Sequence, residues 1–181
     1  MSSTPPGSFS LGTLSPGIEL RPATTADIRP IQELIQPLVE KRILLGKELV
    51  MLYEAVQEFV VAEQDGQLVG CGALHVFWEN LGEVRTLAVS ESVKGHGVGG
   101  AILDALEHRA RSLGLTSLFC LTFEVEFFRG HGYSEVTNSI VDTDVYVELV
   151  RSPDEGVAEF LDLARVKPNT LGNSRMLKQL D

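Results

Sequence analysis

The sequence predicts one α+β domain, in which strands and helices share a single core, and three features carry that prediction. Apolar residues recur at three- and four-residue spacing in two segments of the N-terminal third, two β-rich runs flank an Asp65-Gly66 pair, and a further strand-like run leads through a glycine cluster into an amphipathic helix. With 181 residues and 44% hydrophobic content, the chain fills one core and is short for two.

The first residues, "MSSTPPGSFSLGTLSPGIEL", are dominated by Ser, Pro and Gly, so residues 1–16 are expected to be disordered and residues 17–181 to form the domain. Ile18 to Arg21 reads as a short strand. A helix opens near Thr25 or Asp27, tolerates Pro30 in its first turns, and places Ile31, Leu34, Ile35, Leu38 and Val39 on one stripe. In "LVMLYEAVQE", Leu49, Leu52, Tyr53 and Val56 are expected to face inward. The period then changes: "FVVAEQDGQLVGCGALHVF" reads as an antiparallel hairpin turning at Asp65-Gly66, and "GEVRTLAV" as the next strand.

After the glycine cluster, Val98, Ala101, Ile102, Ala105 and Leu106 mark a helix that Gly114 stops. "TSLFCLTF" is a buried strand, "EVEFFRGHGY" a short helix ending at Gly132, and "YSEVTNSIVDTDVYVELV" one or two further strands. A short helical piece around Val157 to Leu163 precedes an irregular tail rich in Pro, Asn and Gly.

Composition narrows the function classes. A net charge of −10 argues against nonspecific nucleic-acid binding, which needs cation-rich surface, so an anionic ligand must meet a local positive site. No apolar run approaches the roughly 18 residues that span a bilayer, and the N-terminus lacks the basic start and apolar stretch of a secretory signal, which points to the cytoplasm. Cys71 and Cys120 sit in apolar surroundings and suit neither a disulfide framework nor a zinc spacing. No His/Cys/carboxylate spacing suggests a metal, and no histidine forms a nucleophile triad with a serine.

"VKGHGVGGAI" puts four glycines where a helix must begin. A strand, a glycine-rich turn and a helix make an anion site, because the first N–H groups of a helix lack intrahelical partners and the dipole adds positive charge. Lys94, Gly95, His96, Gly97, Val98 and Gly99 form the pattern Lys-x-x-Gly-x-Gly. No Gly-Lys-Ser/Thr follows, so it is not a Walker loop, and no ribose-binding acid follows at dinucleotide spacing. On its own the turn serves an anion or tight helix packing equally well.

The wider context, "GEVRTLAVSESVKGHGVGGAILDALEHRARSLGLTSLFCLTFEVEFFRGHGY", resembles the GCN5-related N-acetyltransferases (GNAT), in which a strand ending Leu-Ala-Val precedes an Arg/Gln-x-x-Gly-x-Gly/Ala turn. The resemblance covers roughly residues 18 to 150 and implies a mixed, mostly antiparallel sheet flanked by helices, with a V-shaped opening between its two central strands. It implies acetyl-CoA as co-substrate, with the N–H groups of Lys94 to Gly99 on the pyrophosphate, the backbone of Leu87, Ala88 and Val89 on the pantetheine arm, and Phe128 near the cofactor. Lys94 replaces the usual Arg or Gln.

The parallels "FVVAEQDGQLVGCGAL", "LGLTSLFCLT" and "NTLGNSRML" are similar to the acetyltransferase domain of the N-acetylglutamate synthases, which acetylate L-glutamate at the head of arginine biosynthesis. Many of these carry an upstream kinase-like domain that senses arginine, for which 181 residues leave no room. By this likeness Glu83 stands at the general-base position and Thr122 where a hydroxyl is proposed to protonate coenzyme A. Glutamate's two carboxylates call for cationic clamps, expected first at Arg85, on the same strand face as Glu83, then at Lys47, Ser174 and Arg175. The basic residues that precede that serine in longer enzymes are replaced by Gly172 and Asn173. Phe128 replaces the Tyr often used as an acid, and Tyr133 is expected in the core. His96 lies in the turn, His75 in a strand, and His108 and His131 are expected on helix surfaces.

The leading expectation is direct transfer from acetyl-CoA to L-glutamate. Alternatives are another amino acid, a polyamine or a protein N-terminus as acceptor, or a noncatalytic acyl-CoA sensor in which Glu83 is incidental. Tyr133 to Val150 and the tail leave room for contact exchange in a homodimer.

Overall fold

The computed structural model describes residues 11–14, 17–137, 140–161 and 172–181. The strands are β1 (Gly12–Leu14), β2 (Ile18–Pro22), β3 (Phe59–Gln64), β4 (Gln67–Val76), β5 (Leu81–Val89), β6 (Ser117–Thr122), β7 (Ser134–Glu135) and β8 (Ser174–Gln179). The helices are α1 (Ile28–Glu40), α2 (Leu49–Glu54), α3 (Val98–Ser112), α4 (Val125–Gly130), α5 (Thr143–Leu149) and α6 (Glu155–Phe160). One sheet runs β1-β2-β3-β4-β5-β6-β8-β7, with every pair antiparallel except β5 and β6. That parallel pair requires a crossover, which α3 supplies.

Both faces of the central strands are buried, so they read as continuous apolar runs rather than alternating ones. On one face Ile28, Ile31 and Ile35 of α1 and Leu52 of α2 pack on Phe59, Val61, Cys71 and Ala73. On the other, Ile102, Leu103, Leu106 and Ala110 of α3 pack on Val60, Ala62, Leu74, Val84 and Leu118. Both cysteines are buried and unbridged. Burial pushes the Cys71 thiol up to about 12, which removes it from thiolate chemistry at neutral pH.

Two glycines of β4 set how closely α3 sits. A Cβ on Gly70 would stand 2.9 Å from Ile102 Cδ1, and one on Gly72 2.8 Å from Ile102 Cγ2 and 3.1 Å from Leu106 Cδ1. The helix therefore rests on bare backbone at the level of the glycine turn that starts it. Its far end stops as the sequence predicts: Gly114 takes φ +84°, and the N–H of Leu115 donates to Ala110 O at 3.0 Å.

Away from the centre, Arg21 of β2 forms a two-pronged pair with Asp27, at 2.8 Å on each prong, and also reaches Glu63 of β3 at 2.7 Å. Asp27 in turn accepts from the Thr24 N–H at 2.7 Å, so one carboxylate ties the start of α1 to the sheet. Helix α1 continues through Pro37, at the cost of one intrahelical hydrogen bond, and its packed stripe outweighs that loss.

The structure corrects four expectations. Gly12–Leu14, inside the segment expected to be disordered, is edge strand β1, paired with β2; residues 1–10 and 15–16 lie outside the described residues. Tyr53 faces solvent rather than the core. Thr143–Leu149 is helix α5, not a strand, although Val-Tyr-Val suggests extended chain; burying Leu149 and Val145 against Phe77 and Phe119 overrides local preference. Ser174–Gln179, read as irregular tail, is β8, inserted between β6 and β7 with Met176 fully buried. The expected helical piece at 157–163 is α6, Glu155–Phe160; residues 162–171 lie outside the described residues.

Replacing Gly72 by Val should drive branched carbons into Ile102 and Leu106 and lower unfolding free energy by about 1–3 kcal/mol. Urea denaturation of the purified variant measures this, and an unchanged midpoint would show that α3 is not held in contact at that point.

Candidate active site

Strands β5 and β6 pair for only three residues, Leu81–Glu83 against Ser117–Phe119. Beyond them β5 stays with β4 and β6 with β8, so the two parallel strands separate. The gap opens into a cavity of about 610 Å³, within the range of small-molecule sites. Leu87, Ala88 and Val89 line it, and their backbone edge on that side is unpaired with β6. A bulge sharpens the bend: Cys71 pairs Ala88 and Ala73 pairs Arg85, leaving Thr86 at φ +53° opposite Gly72.

At the end of β5 the chain makes a short 3-10 turn, Glu91–Val93, and enters the glycine cluster. Gly95 and Gly97 take φ +82° and +78°, and a Cβ on either would meet nothing within 4 Å. The requirement is conformational, not steric. Gly97 occupies the N-cap of α3 without a capping side chain, so the first-turn N–H groups keep their usual lack of intrahelical partners. Gly95, Gly97, Val98, Gly99 and Lys94 line the cavity. The exposed His96 does not, and its N–H and that of Lys94 turn back to Val93 O and Glu91 O at 3.2 and 3.4 Å.

Helix α4 closes the turn from the other side. A Cβ on Gly99 would touch the Phe127 ring at 3.5 Å, and one on Gly100 would collide with His131 Nε2 at 2.8 Å. His131, expected on a helix surface, is therefore half-buried against the turn, with Nδ1 2.7 Å from Phe127 O. Phe127, which the sequence reading passed over for its neighbour, packs on the turn, while the buried Phe128 sits edge-on to both Phe127 and Tyr133. Tyr133 is in the core, 1% exposed, with burial and then Glu107 holding its hydroxyl well above the usual phenol range.

Where β5 and β6 part, Glu83 and Arg85 point to the same face and are 5% and 7% exposed. The Arg85 Nε donates to Glu83 Oε2. Its other two nitrogens reach Asp154 at 3.1 and 2.7 Å. Burial alone would weaken the Arg85 charge, but Glu83 and Asp154 outweigh it and raise the guanidinium further. Asp154 caps α6, accepting from the Val157 N–H at 2.9 Å. Against the opposing effect of burial, Arg85 holds its carboxyl well below the usual range. Removing one member of such a buried set costs about 3–5 kcal/mol, so the trio fixes the position of Glu83.

Lys47 lines the same cavity from the loop before α2, half-buried, with no carboxylate at ion-pair distance among the described residues. Burial, then the positive Arg85, lowers its pKa. Glu159 and Asn173, joined at 3.1 Å, line the same cavity; burial, with the nearby Glu83, raises the Glu159 carboxyl. Thr122 on β6 is buried, and its Oγ1 accepts from the Glu124 N–H at 2.9 Å, which leaves the hydroxyl proton as a donor.

Of the expected acceptor residues, Lys47 and Arg85 line the cavity and Ser174 and Arg175 do not. Both lie on β8, where the Ser174 hydroxyl reaches Glu135 at 3.4 Å. Asp154, Glu159 and Asn173 were missed. A Ser-Pro-Asp helix start was legible at 152–154, but not that this Asp meets a guanidinium 69 positions away.

Residues 29–133 match the Acetyltransferase (GNAT) family profile. An amino-acid acetyltransferase of Mycobacterium tuberculosis is 55% identical over 161 residues, covering 87% of this chain and 92% of that protein. An amino-acid acetyltransferase of Azotobacter vinelandii is 37% identical over 117 residues, 64% of this chain but only 27% of the longer protein. Among solved structures, Rv2747 from Mycobacterium tuberculosis, in complex with CoA and NLQ, superposes with a TM-score of 0.85 at 54% identity, covering 90% of this chain and 99% of that one. N-acetylglutamate synthase from Neisseria gonorrhoeae, complexed with coenzyme A and N-acetyl-glutamate, gives 0.73 at 28% identity, covering 91% and 35%. The parted strands, the left-handed glycine turn, the family profile and the Mycobacterium tuberculosis relative matched almost end to end agree: the chain belongs to the Acetyltransferase (GNAT) family.

Proposed function

We propose that the protein is an amino-acid N-acetyltransferase that moves the acetyl group of acetyl-CoA to the α-amino group of L-glutamate, giving the N-acetylglutamate from which arginine biosynthesis starts. The observation that carries this reading is the buried Glu83, held by Arg85 where a cavity joins an unpaired strand edge to a glycine turn. The relatives' names, and the coenzyme A and N-acetyl-glutamate bound to the Neisseria enzyme, support it.

In this reading the N–H groups of Gly95, Gly97, Val98 and Gly99 hold the pyrophosphate of acetyl-CoA and the backbone of Leu87 to Val89 holds its pantetheine arm. Glu83 takes a proton from the acceptor's ammonium group and the amine attacks the thioester carbonyl; as the intermediate collapses, its nitrogen gives up a second proton, which passes through the Thr122 hydroxyl to the departing thiolate and leaves that hydroxyl neutral. Arg85 is engaged by two carboxylates, so we assign it to orienting Glu83 and give the acceptor carboxylate to Lys47. Asn173 and Glu159 then face the far end of the acceptor, with Ser174 and Arg175 behind them on β8.

Thiol release from acetyl-CoA, measured across a panel of amino acids and polyamines, tests the assignment. L-Glutamate should give the highest kcat/KM; preference for another amine would replace the acceptor, and cofactor binding without turnover for any amine would make the protein a sensor. Glu83→Gln should lower kcat by about 10²–10⁴-fold with little change in the acetyl-CoA KM, and the loss should ease at high pH, where the free amine is abundant. An unchanged rate removes Glu83 as the base.

Lys47→Met should raise the glutamate KM about 10-fold or more, the effect of losing a charge-assisted contact, and leave kcat within a few-fold. Only the protonated amine attracts the carboxylate, and the Lys47 pKa is lowered. The wild-type glutamate KM should therefore climb on the alkaline side before an ordinary lysine deprotonates, and Lys47→Arg should flatten that rise. A KM indifferent to both substitutions places the clamp elsewhere.

A further inference from the structure

Acetylating an ammonium group releases one proton per turnover: R–NH3+ and acetyl-CoA become the amide, free coenzyme A and H+. The base that collects that proton must lose it before the next cycle. Glu83 is 5% exposed, and its open side is the cavity that the two substrates fill. The proton therefore needs an exit behind the carboxylate.

We infer that His75, with Glu58, is that exit. On β4, His75 is the register partner of Glu83 on β5, and directly opposed residues of an antiparallel pair leave the sheet on one face, with Cβ atoms about 4.5–5.5 Å apart. Phe77 marks that face: the His75 ring meets it edge-on at 5.8 Å, and Arg85 Cζ, whose Nε holds Glu83, lies 5.8 Å from its centroid. His75 Nδ1 is 2.8 Å from Glu58 Oε1, on the turn leading into β3. The two side chains are 24% and 27% exposed, against 6% for Glu83, so the series runs from the buried base to water. His75 does not line the cavity and stays open when substrates occupy it.

The charged groups around His75 suit the role. Glu58 lies on one side of His75 at 2.8 Å and Glu83 stands in register on the other, with Arg85 beyond, already engaged by Glu83 and Asp154. Imidazole is the side chain that both accepts and releases protons readily near neutrality. Glu83 would hand its proton to His75, directly or through one water, and His75 would release another from its second nitrogen to Glu58 or solvent. No bond to substrate forms at His75, which acts through Glu83.

This inference rests on Glu83 being the base, and the experiment separates the two. The kcat of the full chain is measured with saturating acetyl-CoA and glutamate in dilute buffer, then with imidazole added, for wild type, His75→Gln, Glu58→Gln and Glu83→Gln. His75→Gln should lose at least 10-fold in kcat in dilute buffer with both KM values within two-fold, and imidazole should restore most of the loss. Glu58→Gln should lose less, in the same direction. A His75→Gln rate within two-fold of wild type, or a loss that imidazole does not restore, overturns the relay. If Glu83→Gln retains full activity, the base assignment itself fails.

Discussion

Two parallel strands that touch for three residue pairs and then part create nearly everything that matters here. Hydrogen bonding would favour continued pairing, and the bulge at Gly72 and Thr86 together with the α3 crossover prevents it. The separation leaves a backbone edge of β5 facing a cavity, sets the glycine turn at its upper end, and exposes one side of Glu83 at its apex. The close seat of α3 on Gly70 and Gly72 holds the turn at that height.

Charge is arranged with the same economy. The chain has a net charge of −10, yet its proposed ligands are anionic, so positive potential has to be local. At the cofactor end it comes from helix N–H groups rather than side chains, since Lys94 is exposed and paired with Glu91. At the acceptor end Arg85 is engaged by two carboxylates and becomes scaffolding, while Lys47 has no carboxylate at ion-pair distance among the described residues. A buried guanidinium between two acids positions a base well and is poorly placed to capture a third carboxylate.

This division changes how the sequence pattern is understood. Glu83 and Arg85 two residues apart on one strand correctly predicted a shared face, and the hairpin at Asp65-Gly66, the helix from Val98 to its stop at Gly114 and the strand around Cys120 all followed from period and turn chemistry. Arg85 as the first acceptor clamp followed from its charge alone, because Asp154 is supplied by a helix cap 69 residues away. His75 looked like an ordinary strand residue until its register with Glu83 was known.

By itself the sequence determined the elements whose signals are local: helical stripes, strand runs, the glycines that must adopt positive φ, and the motif that places the chain among the GNAT acetyltransferases. Only the tertiary structure decided which charges meet. It turned Ser174–Gln179 into a strand between β6 and β7, made Thr143–Leu149 a helix, and brought Asn173 and Glu159 to the cavity. Short segments with mixed composition carry little intrinsic preference, and their conformation is set by the apolar surface and hydrogen-bonding edges that the rest of the fold presents to them.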